Sequence, residues 1–292
     1  MAYDMHDLVA MTQIAFTRQP APAIAQCELT YMDRAPIDFQ RALAQHQQYE
    51  DALRAMGAEV VTAPADARCP DCVFIEDTAL VLDTIAIIGR MRRDSRAPEV
   101  SNVEGWLAPQ RSIERIEAPG TFEGGDAFVV GTTIFIGEST RTNAAGIDQV
   151  RSMAARDGYT VVPVKTPGCL HLTTGASRLT DETVLVNPNW VDVTAMQGVN
   201  IVETHEDEPW GANTLRLGHQ TLMGDCFPRT RERLEAMGIQ TRTTDISEFM
   251  KAEAGLTCMS LLFEGDVDQL RASIADVEIT ARPSPSRAST SA

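Results

Sequence analysis

The sequence predicts an α/β protein built of repeated units around a shared axis, and two observations carry that prediction. Short β-rich runs occur in pairs joined by tight polar turns, and segments of helical periodicity separate the pairs. Polar clusters also recur at nearly even spacing: Glu76-Asp77, Glu123-Gly124-Gly125-Asp126, Leu170-His171-Leu172 and then Cys258. Glu76 lies 47 residues before Glu123, Glu123 lies 48 before His171, and His171 lies 87 before Cys258, about two such steps. A period of roughly 40–50 residues marks an array or propeller in which each repeat brings one element to the centre. An acid, a histidine and a thiol would then meet there.

Taken in order, Leu8–Phe16 reads as a first strand, followed by an irregular loop at Arg18-Gln19-Pro20-Ala21-Pro22. Pro36–Met56 places Phe39, Leu43, Tyr49, Leu53 and Met56 at helical spacing and stops at Gly57, a residue suited to a left-handed C-cap. Val60–Thr62 is a short strand. Four hairpins follow: Thr78–Leu82 with Ile85–Gly89, Ala127–Val130 with Ile134–Gly137, Ser177–Leu179 with Thr183–Val186, and Thr214–Leu217 with Thr221–Met223. Helices are expected at Asn143–Arg156, ending at Gly158, and at Pro228–Met237, which opens on a proline and ends at Gly238. A third, Ser247–Ala254, leads into Gly255, and this Gly-turn delivers Cys258 onto an apolar strand. Beyond Phe263, Glu264–Ala281 can form one more helix, and Arg282-Pro283-Ser284-Pro285-Ser286-Arg287 with its Ser/Ala/Thr end has the composition of a disordered tail. The expected organisation is one domain over residues 1–263 and a partly disordered extension over 264–292.

Composition narrows the function. The 292 residues are 43% hydrophobic, enough for a substantial core. A net charge of −16 and a pI near 4.7 disfavour a nucleic-acid partner, since the only basic run is Arg90-Met91-Arg92-Arg93. The same charge suits a small cationic substrate, although an ordinary acidic surface also produces it. Six cysteines scattered through a long chain read as reduced thiols rather than a disulfide framework. The N-terminus carries Asp4 and Asp7 where an export signal would carry Lys or Arg, and no apolar run approaches membrane-spanning length, so a cytoplasmic protein is expected.

Each chemical candidate has a plainer alternative. Cys258 becomes a nucleophile only as an accessible thiolate beside a base or cation; otherwise it is a small buried hydrophobe. His171, in a strand-like run between two leucines, would ordinarily be a hydrogen-bonded structural residue. Glu123 and Asp126 flank a Gly-Gly pair that lets two carboxylates approach one point, where a cation, a metal or backbone amides would satisfy them. Glu76 and Asp77 continue Val73-Phe74-Ile75, so on a strand they would face opposite sides and only one would enter a given site. Cys69-Pro70-Asp71-Cys72 has no second CxxC and no His pair at ligand spacing, so neither a metal nor another cofactor is expected. His205, in the acidic loop Glu203–Glu208, reads as a surface residue.

Taken together, Pro70-Asp71-Cys72-Val73-Phe74-Ile75-Glu76-Asp77, Glu123-Gly124-Gly125-Asp126, Gly137-Glu138-Ser139-Thr140-Arg141-Thr142-Asn143, Leu170-His171-Leu172 and Thr257-Cys258-Met259-Ser260-Leu261 resemble the dimethylarginine dimethylaminohydrolases. These five collinear motifs span about Leu8 to Phe263. The resemblance implies a five-bladed α/β propeller of the guanidino-group modifying superfamily, hydrolysing methylated arginine to citrulline. By it, Cys258 attacks the guanidinium carbon, His171 moves protons to the departing amine and from water, and Glu123 orients His171 or binds the guanidinium. Leu29, Asp71, Phe74, Glu76, Asp77, Arg96 and Arg141 would bind substrate: Asp77 the guanidinium nitrogens, Arg96 and Arg141 the carboxylate, and Asp71 with the lid backbone at Leu29 the amine. No metal is implied; the partner is a small guanidino compound, and a homodimer is left open.

The sequence departs from the pattern in three places. Arginine deiminases and amidinotransferases carry an Asp two residues after the histidine, and many dimethylaminohydrolases a Lys; here the residue is Thr173. Cys72 replaces the more usual Ser, and the chain continues past Phe263. A deiminase, a hydrolase of another substituted guanidine, and a non-catalytic propeller that acts as a binding module are the alternatives.

Overall fold

A computed structural model describes residues 11–281, so the start of the expected first strand and the expected disordered tail lie outside the described residues. In chain order the elements are β1 (Thr12–Arg18), α1 (Phe39–Ala55), β2 (Glu59–Ala63), β3 (Ala79–Val81), β4 (Ile85–Ile88), α2 (Ala97–Leu107) and β5 (Ser112–Arg115). There follow β6 (Ala127–Val130), β7 (Thr133–Glu138), α3 (Ala144–Ala154), β8 (Thr160–Lys165), the one-turn α4 (Leu172–Gly175), β9 (Ala176–Arg178), β10 (Thr183–Val186) and β11 (Asn200–Glu203). The last are β12 (Leu215–Leu217), β13 (Gln220–Gly224), α5 (Pro228–Ala236), β14 (Gln240–Thr244), the short α6 (Ser247–Met250), β15 (Ser260–Gly265) and α7 (Val267–Ala281).

The strands make five three-stranded mixed sheets, ordered β3-β4-β5, β6-β7-β8, β9-β10-β11, β12-β13-β14 and β15-β1-β2. In each, the first two strands are antiparallel and the third runs parallel to the second. A parallel pair needs a crossover. In four sheets it contains a helix (α1, α2, α3 or α5), and between β10 and β11 only a 3-10 turn at Val193–Ala195. The fifth sheet joins the two ends of the described chain, with Ile14 on β1 opposite Phe263 on β15.

Each expected hairpin exists, and each gains a third strand. β5 (Ser-Ile-Glu-Arg), β11 (Asn-Ile-Val-Glu) and β14 (Gln-Thr-Arg-Thr-Thr) are polar sheet edges that expose much of their length, which hides them from a search for apolar runs. α2 also escaped sequence reading because Pro98 and Gly105 interrupt it. Pro98 sits in its first turn, where no N–H is required, and Gly105 faces α7, where an added Cβ would stand 3.1 Å from Val277 Cγ2.

The core is divided between successive sheets. Ile14, Phe16 and Val61 pack on Ala79, Ile88 and Val103; Leu80, Ile85 and Ile87 pack on Ile134, Ile136 and Ile147; Phe135 and Val164 pack on Ala176, Val184 and Val186. Glu264–Ala281 does supply a helix: α7 lays Leu270 and Ile274 on Trp106 and Leu107 of α2, and Ser273 Oγ donates to the Trp106 carbonyl. A cavity of about 750 Å³ is lined by residues of β3, β6, β9, β12 and β15, the first strands of all five sheets. Among the described residues no helix is long and apolar enough to cross a membrane.

Candidate active site

Each first strand is preceded by one tight turn of helix, and the polar clusters of the sequence ride on these turns. They are Ile75–Thr78 before β3, Gly124–Asp126 before β6, α4 before β9, Pro209–Ala212 shortly before β12 and Thr257–Met259 before β15. Three expectations are corrected here. His171 is not in a strand but is the extended residue that starts α4. Cys258 lies in the turn ahead of β15 rather than on the strand. Glu76 and Asp77 share a 3-10 turn, in which neighbours do not alternate sides, so both acids enter the same buried cluster.

His171 is held from both ring nitrogens. Nε2 lies 2.8 Å from Glu123 Oε2 and Nδ1 lies 3.4 Å from Asp77 Oδ1. Burial alone would strip the ring of its proton, but Asp77, the Glu123 hydrogen bond and the Asp126 charge outweigh it and raise its pKa to about 9. Burial likewise opposes ionisation of Glu123, yet its hydrogen bond to His171 and the nearby Arg96 and Arg141 hold it down to about 2. Asp126 fixes the backbone instead: it accepts Leu172 N–H at 3.0 Å and the Ser139 hydroxyl at 2.7 Å. Gly125 is required by space, since a Cβ there would lie 2.5 Å from Asp77 Oδ1 and 3.0 Å from His171 Nδ1.

Cys258 is buried, and its sulfur accepts the Gly255 N–H at 3.4 Å. Burial first, then the Glu76 and Asp77 carboxylates, push the thiol well above its usual range, so it rests protonated. Glu76 is itself pushed up to about 8 by burial and by Asp77. It accepts the Thr257 hydroxyl at 2.8 Å and lies 3.4 Å from that of Thr173, which donates to the Gly125 carbonyl at 2.8 Å. Glu76, Thr173 and Thr257 also line the cavity shared by the five first strands, while Cys258, His171, Arg96 and Arg141 do not.

Asn213 was missed by sequence reading. It fills the skipped step between His171 and Cys258: its amide donates to Thr173 O at 2.8 Å and Thr257 Oγ1 at 3.0 Å and accepts Thr257 N–H at 3.2 Å. An added Cβ at Gly255 would strike it at 2.3 Å. A neutral amide gives no titratable signal, but the period alone would have pointed to this stretch.

Arg96 and Arg141 are both buried rather than solvated. Arg96 is committed to Asp77 at 2.7 Å, to Glu99 at 2.9 Å and to the Phe74 carbonyl at 3.5 Å. Arg141 reaches Thr30 Oγ1 at 3.4 Å and lies 3.5 Å from Glu123. Asp71 accepts the Glu28 N–H with both oxygens at 3.2 Å, and half-buried Leu29 packs on the apolar cluster that contains Phe74 and Cys258. Within this cluster two buried polar atoms make no formed hydrogen bond and have only a long ionic contact: Asp77 Oδ1, an acceptor 3.4 Å from His171 Nδ1, and Arg141 Nη1, a donor 3.5 Å from Glu123 Oε2. Asp77, Glu123 and His171 also offer three ligand atoms within 4.8 Å of one another, but Arg96 and Arg141 stand 3.8 and 3.5 Å from Glu123 and already compensate its charge. The other cysteines are free: Cys27, Cys69, Cys72 and Cys169 are buried and Cys226 is exposed.

A family model described as N,N dimethylarginine dimethylhydrolase, eukaryotic, matches residues 23–202. The chain belongs to the dimethylarginine dimethylaminohydrolase family. It is 36% identical over 250 residues to the N(G),N(G)-dimethylarginine dimethylaminohydrolase of Pseudomonas aeruginosa, covering 84% of this chain and 97% of that one. It superimposes with TM-score 0.81 and 34% identity on a crystallised cysteine-to-serine mutant of the Pseudomonas aeruginosa family member complexed with citrulline, over 87% of this chain and 100% of that one. A dimethylarginine dimethylaminohydrolase adduct with S-methyl-L-thiocitrulline, in a histidine-to-glycine variant, gives TM-score 0.82 at 35% identity with the same coverage. The five mixed three-stranded sheets therefore match the fold of this family.

Proposed function

We propose that this protein is a hydrolase of methylated arginine that converts Nω,Nω-dimethyl-L-arginine to citrulline and dimethylamine, and Nω-monomethylarginine to citrulline and methylamine. The supporting observation is the pair of buried polar atoms that make no formed hydrogen bond. Asp77 Oδ1 has only the long contact to His171 Nδ1 at 3.4 Å and Arg141 Nη1 only the one to Glu123 Oε2 at 3.5 Å, so each can take a closer partner. A substrate with a guanidinium at one end and a carboxylate at the other supplies both.

The protonated thiol fits the same reading. With burial and the Glu76 and Asp77 carboxylates raising it, Cys258 ionises when a cation arrives; a bound guanidinium is that cation, and the thiol proton leaves to solvent. The thiolate adds to the guanidinium carbon, and the C–N bond to dimethylamine breaks as His171 protonates the leaving nitrogen. Neutral His171 then takes a proton from water, the hydroxide adds to the thiouronium carbon, and the C–S bond breaks to release citrulline and restore Cys258. Glu123 keeps the imidazole oriented throughout. Arg96 and Arg141 face the carboxylate, Arg141 being the freer; Asp71 and the Leu29 backbone meet the amine, and Glu76 and Phe74 complete the guanidinium end. No metal enters any step. Thr173 puts a hydroxyl, not a carboxylate, two residues past His171, which leaves room for N-methyl groups.

On this reading the five sheets close as a five-bladed propeller, residues 1–263 form one catalytic unit with 264–292 as an extension, and the enzyme is cytoplasmic. The test is citrulline release from dimethylarginine, monomethylarginine and arginine by wild type and Cys258→Ser. Release from the methylated substrates alone, lost in Cys258→Ser, is expected. Turnover of arginine would make the protein a deiminase, and no citrulline from a folded wild type would remove the reading.

A further inference from the structure

We infer that Glu253 is a positioning residue that latches the segment Leu29–Met32 over the active site and thereby sets substrate affinity. The inference deepens the function proposed above and rests on it for its kinetic arm.

Glu253 is the one non-glycine residue with a left-handed backbone among the described residues, at φ 58°. Its position follows α6, where its N–H bonds the Met250 carbonyl and the next N–H bonds the Phe249 carbonyl, as in a helix C-cap that glycine or asparagine ordinarily fills. A glutamate there bears the steric cost of the left-handed region, so its side chain must offset it. That side chain is buried and accepts three consecutive backbone N–H groups, those of Thr30, Tyr31 and Met32. The stretch it holds has no helix or strand of its own, and Tyr31 and Met32 are exposed on its outer side.

The latch connects to the chemistry at both ends. Glu253 stands five residues before Cys258, and Gly255 between them bonds the sulfur. Thr30, which it holds, accepts from Arg141. Asp71 holds the same segment one step earlier through Glu28 N–H, so Leu29 is suspended between two carboxylate anchors. Releasing the Glu253 anchor frees the cover and one Arg141 contact without touching the reacting atoms.

Glu253→Gly separates this from a structural role, because glycine takes the left-handed backbone freely and only the carboxylate is lost. Glu253→Gln is the second variant, keeping the volume but leaving a neutral, weaker acceptor. Backbone hydrogen exchange of residues 27–36 in the free protein and steady-state citrulline release are the readouts. Exchange at Thr30–Met32 is expected to quicken at least about tenfold in both variants while the sheets are unchanged, the loss of charge-assisted hydrogen bonds. In the same variants KM should rise about tenfold or more with kcat within about threefold, the signature of lost binding rather than lost chemistry. Glu253→Gly should unfold at a midpoint no lower than wild type. Unchanged exchange at Thr30–Met32, or a fall in kcat with KM unchanged, overturns the latch. If wild type hydrolyses no methylated arginine, the functional reading fails while the exchange comparison still decides the latch.

Discussion

His171 ties the site to pH. Its pKa is raised from 6.5 to about 9, so the stability it contributes is fully present below pH 6.5 and is lost as pH rises through about 9. Glu76, raised from 4.5 to about 8, acts in the same direction, because the folded state prefers its neutral form and that preference is gone by pH 8. Glu123, lowered from 4.5 to about 2, contributes above pH 4.5 and fails only as pH falls through about 2. The melting temperature should therefore drop by several degrees between pH 7 and pH 10, and His171→Gln should flatten the upper part of that fall; a flat wild-type profile would contradict the geometry of the imidazolium. On the proposed mechanism, dimethylarginine turnover should decline above about pH 9 as His171 loses its proton. At this scale the sequence announced Cys258, His171 and Glu123 through their period. The same period marks the stretch around Asn213 but not the residue, and nothing marks Glu253, because their contacts reach across 40 to more than 200 residues that no local pattern encodes.

The turns that carry the site are tight enough for glycine to matter in two distinct ways. Gly125→Ala would drive a methyl to 2.5 Å from Asp77 Oδ1 and 3.0 Å from His171 Nδ1. On the proposed mechanism, displacing the proton donor and a guanidinium-binding carboxylate by even part of an ångström should cost on the order of 100-fold in kcat/KM, and overpacking adds about 1–3 kcal/mol of destabilisation. Gly131, in the β6–β7 turn at φ 58°, has nothing within 4 Å of an added Cβ, so Gly131→Ala should cost about 1 kcal/mol of stability and leave kcat/KM intact. Parallel kinetics and denaturation of the two variants distinguish a site glycine from a turn glycine. Hairpins were legible because apolar runs flank turn residues. The apolar third strand at Val60–Thr62 was legible too, but Ser112–Arg115, Asn200–Glu203 and Gln240–Thr244 were not, because they are paired on one side only and keep polar faces.

Over the whole molecule, stability resides between sheets rather than within them. Phe135, fully buried between the third and fourth of the sheets counted from β15-β1-β2, should cost about 3–5 kcal/mol when cut to alanine, measured by denaturant unfolding. Removing α7 by ending the chain at Gly265 would uncover Trp106 and Leu107, and the shortened protein should unfold at lower temperature and aggregate while its site residues stay unaltered. The α/β class and the repeat were readable from turn chemistry and spacing. The pairing of β15 with β1 was not, because two segments separated by nearly the full chain share no local signal.

That pairing also fixes an order in time. On the ribosome β1 emerges first and waits with one edge bare until β15, the strand that directly follows Cys258, has been made. A product interrupted earlier holds His171 and its carboxylates but lacks Cys258 and leaves its first strand paired with β2 alone. On the proposed mechanism one missing segment would thus leave a chain both without its nucleophile and with an open strand edge prone to association.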